Sequence, residues 1–139
     1  MPLLTKQYKF CSAHRYWNDT LSDEDNYKNF GKDIYLHGHN YMLDITLKGP
    51  INPKTGFIID LQKLNIIVDD YVINIFDHKQ IEKDIKWFHD KQPSTENMVV
   101  FIWEQLYSKI DKPARLYSIK LQETPTISTK YFGPGENNE

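Results

Sequence analysis

The sequence of 139 residues predicts an α+β fold, with helices layered on one face of an antiparallel sheet. Two runs, residues 3–14 and 37–48, alternate apolar and polar side chains with the period of two that is typical of half-buried strands. Two later stretches repeat apolar residues every three or four positions, as amphipathic helices do. The predicted order is three strands, two helices and two strands, and this order favours the α+β class.

The first half of the chain contains three predicted strands and one long connection. Between the first two strands, the polar segment 18–33 lacks alternation, so we expect a long loop with one helical turn beginning at Ser22. Turn-forming residues occupy positions 49–56 after the second strand. A short third strand is predicted at residues 57–59.

The second half contains the two predicted helices. Asp60 is the expected N-cap of the first helix, which runs to about residue 76. The second helix is predicted to begin at Ser94 or Thr95 and to stop before Pro113. Two further strands complete the chain, at residues 114–122 and 126–132.

Composition limits the class of protein. A formal charge of −2 argues against a nucleic-acid partner and against binding to an anionic membrane surface. One cysteine excludes an internal disulfide, and no apolar run approaches the roughly 20 residues of a membrane span. We therefore expect a cytoplasmic protein with one domain over residues 1–139, whose last few residues, from Gly133 onward, form a frayed tail.

Three histidines form a candidate metal centre. His37 and His39 are separated by one residue, so both imidazoles point to the same face of an extended strand. His14 ends the other long strand. Three histidine ligands from two strands match the plan of catalytic zinc, which leaves one coordination position open. The spacing therefore predicts a Zn²⁺ site.

Five motifs, in order along the chain, resemble the 6-pyruvoyl-tetrahydropterin synthase family, which includes the bacterial 6-carboxy-tetrahydropterin synthases of queuosine biosynthesis. The resemblance covers roughly residues 5–133, and the segments 22–26 and 30–32 look closest to the pyruvoyl branch. The motifs are Phe10-x-x-Ala13-His14-Arg15, His37-Gly38-His39-Asn40-Tyr41, Asp77-His78-Lys79, Ser94-Thr95-Glu96-Asn97 and Glu123-Thr124.

The resemblance implies a tunnelling fold. In that family a four-stranded antiparallel sheet with two helices on one face joins two other copies into a trimeric barrel, and two trimers form a homohexamer with active sites at subunit interfaces. The family's zinc ligands map onto the three histidines already identified. The implied reaction is a lyase step that converts 7,8-dihydroneopterin triphosphate to 6-pyruvoyl-tetrahydropterin with loss of triphosphate.

The resemblance also implies roles for other residues. Asp77 and His78 correspond to a catalytic pair in which the carboxylate orients the imidazole. Glu123 corresponds to the glutamate that anchors the pterin, and we assign Thr95 to substrate binding as well. On the residues alone, Asp77 and His78 also fit a helix C-terminus, and Glu123 also fits a solvated strand end.

One departure from the family concerns the catalytic base. The family's usual cysteine before His-Gly-His is replaced by Asp33, four residues before His37. Asp33 is therefore a candidate base, or else a solvated loop residue. An exposed carboxyl needs desolvation to become an effective base. The lone thiol, Cys11, points away from His14 by alternation, and we expect it in the core.

Several alternatives remain open at this point. The product could instead be 6-carboxy-tetrahydropterin, or 6-hydroxymethyl-dihydropterin for folate synthesis if a carboxylate base favours side-chain cleavage. A non-catalytic pterin- or purine-binding protein and a structural zinc protein are the readings from other classes. A closed zinc site lacks an obvious fourth ligand, because His89 is expected in a loop between helices. Arg15, Lys28 and Lys32 are candidates to meet the triphosphate.

Overall fold

The computed structural model describes residues 1–135 and has the predicted α+β architecture. Of the tail predicted from Gly133 onward, residues 136–139 lie outside the described residues. The sheet has five strands in the order β3-β1-β2-β4-β5. Their bounds are Leu3–His14 for β1, His37–Lys48 for β2, Lys79–Gln80 for β3, Arg115–Thr124 for β4 and Ile127–Tyr131 for β5.

The two long strands have the predicted bounds and determine where the candidate ligands lie. Strands β1 and β2 pair antiparallel along their whole length, from Leu3 opposite Lys48 to His14 opposite His37. Their alternation is also as predicted, since Tyr8 and Phe10 are buried. The sequence pattern therefore sets both the register and the buried face of this pair.

The prediction of a four-stranded, wholly antiparallel sheet was wrong. Strand β3 adds a fifth, parallel member, with Lys79 opposite Ser12 on β1. It exists because the turn before it is docked on β1: the His78 amide donates to the carbonyl of Cys11 at 2.6 Å. A bridge this short has no alternation to reveal it.

The short strand predicted at residues 57–59 is also absent, and this stretch is a bend. Ile58 and Ile59 pack against the core through their side chains. The segment is instead tied to its own preceding turn, because the carbonyl of Phe57 accepts a hydrogen bond from the amide of Asn52 at 2.9 Å. Burial of apolar side chains therefore produced a strand-like pattern without strand pairing.

Five helical segments connect the strands. They are α1 (Asp23–Phe30), α2 (Leu61–Val68), α3 (Asn74–Phe76), α4 (Ile81–Asp84) and α5 (Thr95–Leu106). A π-helical turn, Asp69–Ile73, joins α2 to α3, so the predicted first helix is a continuous helical stretch with an irregular turn in its second half. The predicted N-cap of the first helix is present, because the Asp60 side chain accepts a hydrogen bond from the Gln62 amide. The second helix begins at Thr95, and Ser94 caps it by accepting a hydrogen bond from the Asn97 amide.

The polar segment 18–33 is more ordered than a loop with one helical turn. Ser22 caps the two-turn helix α1, and a 3₁₀ turn, Gly31–Ile34, follows it. The anchor of this segment is Asn26, a fully buried amide bonded to the backbone of Asn18, Leu21 and Ser22. Because a polar side chain faces inward, the helix lacks the apolar stripe that would have revealed it.

The helices cover one face of the sheet, with α5 packed on β4 and β5 and with α3 and α4 packed against β1. The opposite face of β1 is exposed. Cys11 lies on that face, so the expectation of a core cysteine was wrong, although alternation correctly pointed it away from His14. None of the helices within residues 1–135 has both the length and the apolar character needed to span a membrane.

Candidate metal centre

The structure brings His14, His37 and His39 together at one end of the β1–β2 pair. Their ring centroids are 4.6 to 5.1 Å apart, and one nitrogen from each ring lies within 4.8 Å of the others. This follows from the register, because His14 is directly opposite His37 and Ser12 is opposite His39. Gly38 suits the close approach of the strands, since a Cβ there would come within 3.3 Å of the Ser12 carbonyl.

Backbone carbonyls hold two of the three rings. Nδ1 of His14 lies 2.9 Å from the carbonyl oxygen of Pro93, and Nδ1 of His37 lies 2.7 Å from that of Tyr35. A carbonyl only accepts, so each Nδ1 carries the proton and each Nε2 presents a lone pair. Second partners of this kind are typical of metal-binding histidines.

The free nitrogens are the feature that fits a metal ion. Nε2 of His14 and Nε2 of His39 are buried and have no hydrogen-bond partner within residues 1–135. Buried polar atoms without partners are rare and costly, so each such atom calls for a ligand. Burial lowers the pKa of His14 to about 4 and also lowers that of His39, which keeps both rings neutral near pH 7. Neutral imidazoles are the metal-binding form.

Glu123 closes one side of the centre. It lies near the end of β4 with its Oε1 3.6 Å from Nε2 of His39, and 13% of its side chain is exposed. Burial raises the pKa of this carboxyl, while the nearby His37 acts in the opposite direction. The carboxylate therefore faces the same space as the histidines and has few partners of its own.

Asp33 lies on the other side of the centre, in the 3₁₀ turn before β2. Its Oδ1 is 3.8 Å from Nε2 of His37, and 61% of its side chain is exposed. Its backbone is fixed, because the carbonyl of Asp33 accepts a hydrogen bond from the Tyr16 amide at 2.9 Å. The structure thus brings the candidate base close to a candidate ligand.

Asp77 and His78 form a separate pair in the turn between α3 and β3. Nδ1 of His78 is 2.9 Å from Oδ2 of Asp77, whose Oδ1 accepts from the Cys11 amide. The hydrogen bond from the Cys11 amide is the largest cause that lowers the pKa of Asp77, and the hydrogen bond with His78 lowers it further. The His78 side chain is 81% exposed, and within residues 1–135 no hydrogen bond or ion pair joins this pair to the three histidines.

Thr95 is buried at the start of α5 and serves the structure there. Its hydroxyl lies 2.7 Å from that of Thr129 on β5 and 3.0 Å from the carboxylate of Glu96. These contacts tie the helix to the sheet. No hydrogen bond of Thr95 within residues 1–135 reaches the histidines.

Two tyrosines near the centre were missed as site residues. Tyr16 and Tyr41 both lie beside His14, with ring centroids at 5.1 and 6.4 Å from it. Burial, followed by the charge of Glu123, raises the pKa of each, so both hydroxyls stay protonated. Alternation from His14 and His39 would have placed both on the ligand face, whereas the carbonyl of Pro93 left no signal in the sequence.

An α+β fold that presents three clustered histidines and a flanking carboxylate defines a candidate metal-dependent enzyme of small-molecule chemistry. The family model described as 6-pyruvoyl tetrahydropterin synthase matches residues 3–134. The chain therefore belongs to the 6-pyruvoyl tetrahydropterin synthase family, as its motifs indicated.

Several relatives show the same likeness. A 6-pyruvoyl tetrahydrobiopterin synthase of Drosophila melanogaster is 36% identical over 94% of this chain and 79% of its own length, and the Homo sapiens protein is 35% identical over 94% and 90%. The solved 6-pyruvoyl tetrahydropterin synthase of Caenorhabditis elegans is 34% identical, with a TM-score of 0.85 over 96% of this chain and 97% of that one.

More distant relatives have other names. A dihydroneopterin monophosphate aldolase of Pyrococcus furiosus is 31% identical over 63% of this chain and 70% of its own length. A 6-carboxy-5,6,7,8-tetrahydropterin synthase of Rickettsia typhi is 28% identical over 65% and 78%.

Proposed function

We propose that this chain is a zinc-dependent lyase that converts 7,8-dihydroneopterin triphosphate to 6-pyruvoyl-tetrahydropterin with loss of triphosphate. The observation that carries the proposal is the pair of buried Nε2 atoms on His14 and His39, which have no hydrogen-bond partner within residues 1–135, together with the Glu123 carboxylate 3.6 Å from Nε2 of His39. Relatives named as 6-pyruvoyl tetrahydrobiopterin synthases support the reaction, since they match over most of the chain.

The metal would be held by Nε2 of the three histidines. Such a donor set suits zinc and leaves a position for substrate. When bound there, zinc supplies Lewis acidity to the side-chain hydroxyls of the substrate. The role of the protein is to orient the rings, which the Pro93 and Tyr35 carbonyls do for His14 and His37.

Glu123 is the proposed anchor of the pterin ring. A pterin presents an amino group and a ring N–H side by side, and one carboxylate can accept hydrogen bonds from both. Burial has already removed water from this carboxyl and raised its pKa. Two N–H donors would replace the lost hydrogen bonds, so the site favours a ligand with that edge. Thr95 would act on the substrate only indirectly, by fixing the start of α5.

Asp77 and His78 are the proposed acid–base pair. Asp77 holds Nδ1 of His78, so Nε2 of the imidazole is directed outward, where it could deliver or take a proton. Because this pair lies apart from the histidines within one chain, the proposal requires a second copy. We propose a trimeric barrel, with two trimers in a homohexamer, in which one subunit's His78 faces its neighbour's metal centre. The exposed sheet face around Cys11 supports such an assembly.

Asp33 is the proposed base that removes the side-chain proton of the substrate. It occupies the position where the family has cysteine, and its Oδ1 lies 3.8 Å from Nε2 of His37. The exposed carboxyl becomes desolvated only when substrate and a neighbouring subunit cover it, which would strengthen it as a base. If Asp33 has no such role, proton transfer would depend on His78 alone.

A second candidate reaction follows from the same residue. A carboxylate base could favour carbon–carbon cleavage of the side chain, giving 6-hydroxymethyl-dihydropterin. The similarity to a protein named dihydroneopterin monophosphate aldolase supports this alternative, and the similarity to a 6-carboxy-tetrahydropterin synthase supports a third product. A pterin- or purine-binding protein without turnover is the alternative of another class, and it predicts tight binding without product.

Mass spectrometry of the products decides among these reactions. Purified protein loaded with zinc is incubated with dihydroneopterin triphosphate, in parallel with Asp33→Asn, Asp33→Cys and the distant exposed control Asp111→Asn. We expect 6-pyruvoyl-tetrahydropterin from the wild type and the control, and a loss of about 10²- to 10⁴-fold in the Asp33→Asn variant. Unchanged turnover in Asp33→Asn would remove Asp33 from the mechanism. Binding without product in a single-turnover assay would contradict the enzyme proposal.

We also propose a single domain in the cytoplasm. The family match over residues 3–134 supports the single domain, and the single cysteine supports a reducing compartment.

A further inference from the structure

Gln92, in the turn before α5, holds the backbone of Trp17 with both ends of its side-chain amide. The Trp17 amide donates to Oε1 of Gln92 at 3.2 Å, and Nε2 of Gln92 donates to the Trp17 carbonyl at 2.8 Å. This is the pattern of two hydrogen bonds that a paired strand residue would make. The side chain thereby ties the segment after β1 to the turn before α5.

The backbone of Gln92 is held as well. Its carbonyl accepts a hydrogen bond from Nδ2 of Asn97 at 2.9 Å, and the Asn97 amide is capped by Ser94. The residue after Gln92 is Pro93, whose carbonyl receives Nδ1 of His14. Gln92 is therefore clamped on both sides just before the carbonyl that orients a candidate metal ligand.

A second group competes for Nδ1 of His14. The hydroxyl of Tyr41 lies 3.5 Å from this atom, against 2.9 Å for the Pro93 carbonyl. A carbonyl can only accept, so it selects the tautomer with a proton on Nδ1 and a free Nε2. A hydroxyl can also donate, and donation to Nδ1 would select the tautomer with a proton on Nε2, which leaves no lone pair on that nitrogen for a metal ion. The position of the Pro93 carbonyl thus decides whether His14 is a ligand.

We propose that Gln92 is a positioning residue of the metal centre: its clamp on Trp17 keeps the Pro93 carbonyl on Nδ1 of His14 and so holds His14 in the metal-binding tautomer. This inference rests on the proposed metal site. It adds that a glutamine outside the ligand set, one residue away from the orienting carbonyl, sets the affinity of that site.

The test uses the full chain with Gln92→Ala, with the near-isosteric Gln92→Glu and with Gln105→Ala as a matched control. Gln105 also donates from its side chain to a backbone carbonyl, that of Tyr71 at 3.0 Å, but it lies near the C-terminal end of α5, whereas Pro93 precedes the N-terminal end. Gln92→Ala removes two side-chain hydrogen bonds to the backbone and Gln105→Ala removes one, so the control reports the effect of losing such a bond away from the metal centre.

Two measurements are made on each variant. Long-range proton–nitrogen NMR on metal-free protein reports the tautomer of His14, and competition with a chromophoric chelator reports zinc affinity. We expect His14 to carry its proton on Nδ1 in the wild type and Gln105→Ala, and to become mixed in both Gln92 variants. Zinc affinity should fall about tenfold in the Gln92 variants, the lower end of the effect of a partner that orients a ligand.

The outcomes separate this inference from the proposed function. If Gln92→Ala or Gln92→Glu keeps the wild-type tautomer and the wild-type zinc affinity, the positioning role is wrong. It is also wrong if Gln105→Ala weakens zinc binding as much as the Gln92 variants do. A wild-type protein that binds no zinc would overturn the proposed function itself, whatever the tautomer of His14.

Discussion

Burial of His14 predicts that the metal-free protein loses stability in mildly acidic solution. The His14 side chain is fully buried, and its pKa is lowered from the usual 6.5 to about 4, chiefly by burial. Between these values the unfolded chain binds a proton that the folded chain excludes, so the free energy of unfolding falls as the pH is lowered. At about 1.4 kcal/mol per pH unit, the loss reaches about 3 kcal/mol near pH 4 and then levels off.

Urea denaturation of metal-free protein between pH 7.5 and 4 measures this loss. Other groups titrate in the same range, so the quantity of interest is the difference between the wild type and His14→Gln, which lacks the titrating ring. We expect the wild type to lose about 3 kcal/mol more than His14→Gln over this range, while Gln62→Ala, an exposed change on α2, follows the wild type. Parallel curves for the wild type and His14→Gln would refute the argument from burial.

Three further outcomes follow from the structure. Glu123→Gln should raise the KM for dihydroneopterin triphosphate about tenfold or more, because a charge-assisted pair of hydrogen bonds to the pterin is lost. The control Glu104→Gln, on the exposed face of α5, should leave the KM unchanged. Steady-state kinetics that show no change in the KM of Glu123→Gln would argue against Glu123 as the pterin anchor. Asn26→Ala should lower the free energy of unfolding by about 2 kcal/mol in chemical denaturation, since it removes a buried amide and leaves the part-buried carbonyls of Asn18 and Ser22 without its hydrogen bonds. It should cost more than Asn29→Ala, whose side chain is exposed. If each active site contains residues of two subunits, reassembling a mixture of the inactive His14→Ala and His78→Ala proteins should restore part of the enzymatic activity. Activity of the mixture no greater than that of either variant alone would contradict the shared site.

The sequence was most informative where side chains alternate. The bounds of strands β1 and β2 were predicted to the residue. Alternation placed His37 and His39 on one face of β2, next to His14, which pairs with His37 on β1. This worked because one face of the pair is buried, and a slip of one residue would have exposed the whole apolar set. The metal centre is thus a local consequence of register.

Features that depend on distant contacts were not visible in the sequence. The parallel bridge of β3 forms because Asp77 and His78 dock on the backbone of Cys11, and the segment 57–59 buries isoleucines without strand pairing. Cys11 was expected in the core because free cysteines are usually buried, yet it is exposed on the face of β1 opposite Phe10 and Ser12. The Pro93 carbonyl meets His14 across 79 positions of sequence.

The account depends most on three histidine Nε2 atoms binding one ion beside Glu123. Anomalous diffraction at the zinc absorption edge, from crystals of protein purified without chelators, tests this directly. We expect one peak per subunit at about 2.0–2.1 Å from Nε2 of His14, His37 and His39, the usual zinc–nitrogen distance. A map with no zinc peak between these rings, or with the zinc peak at another place in the structure, would contradict the account.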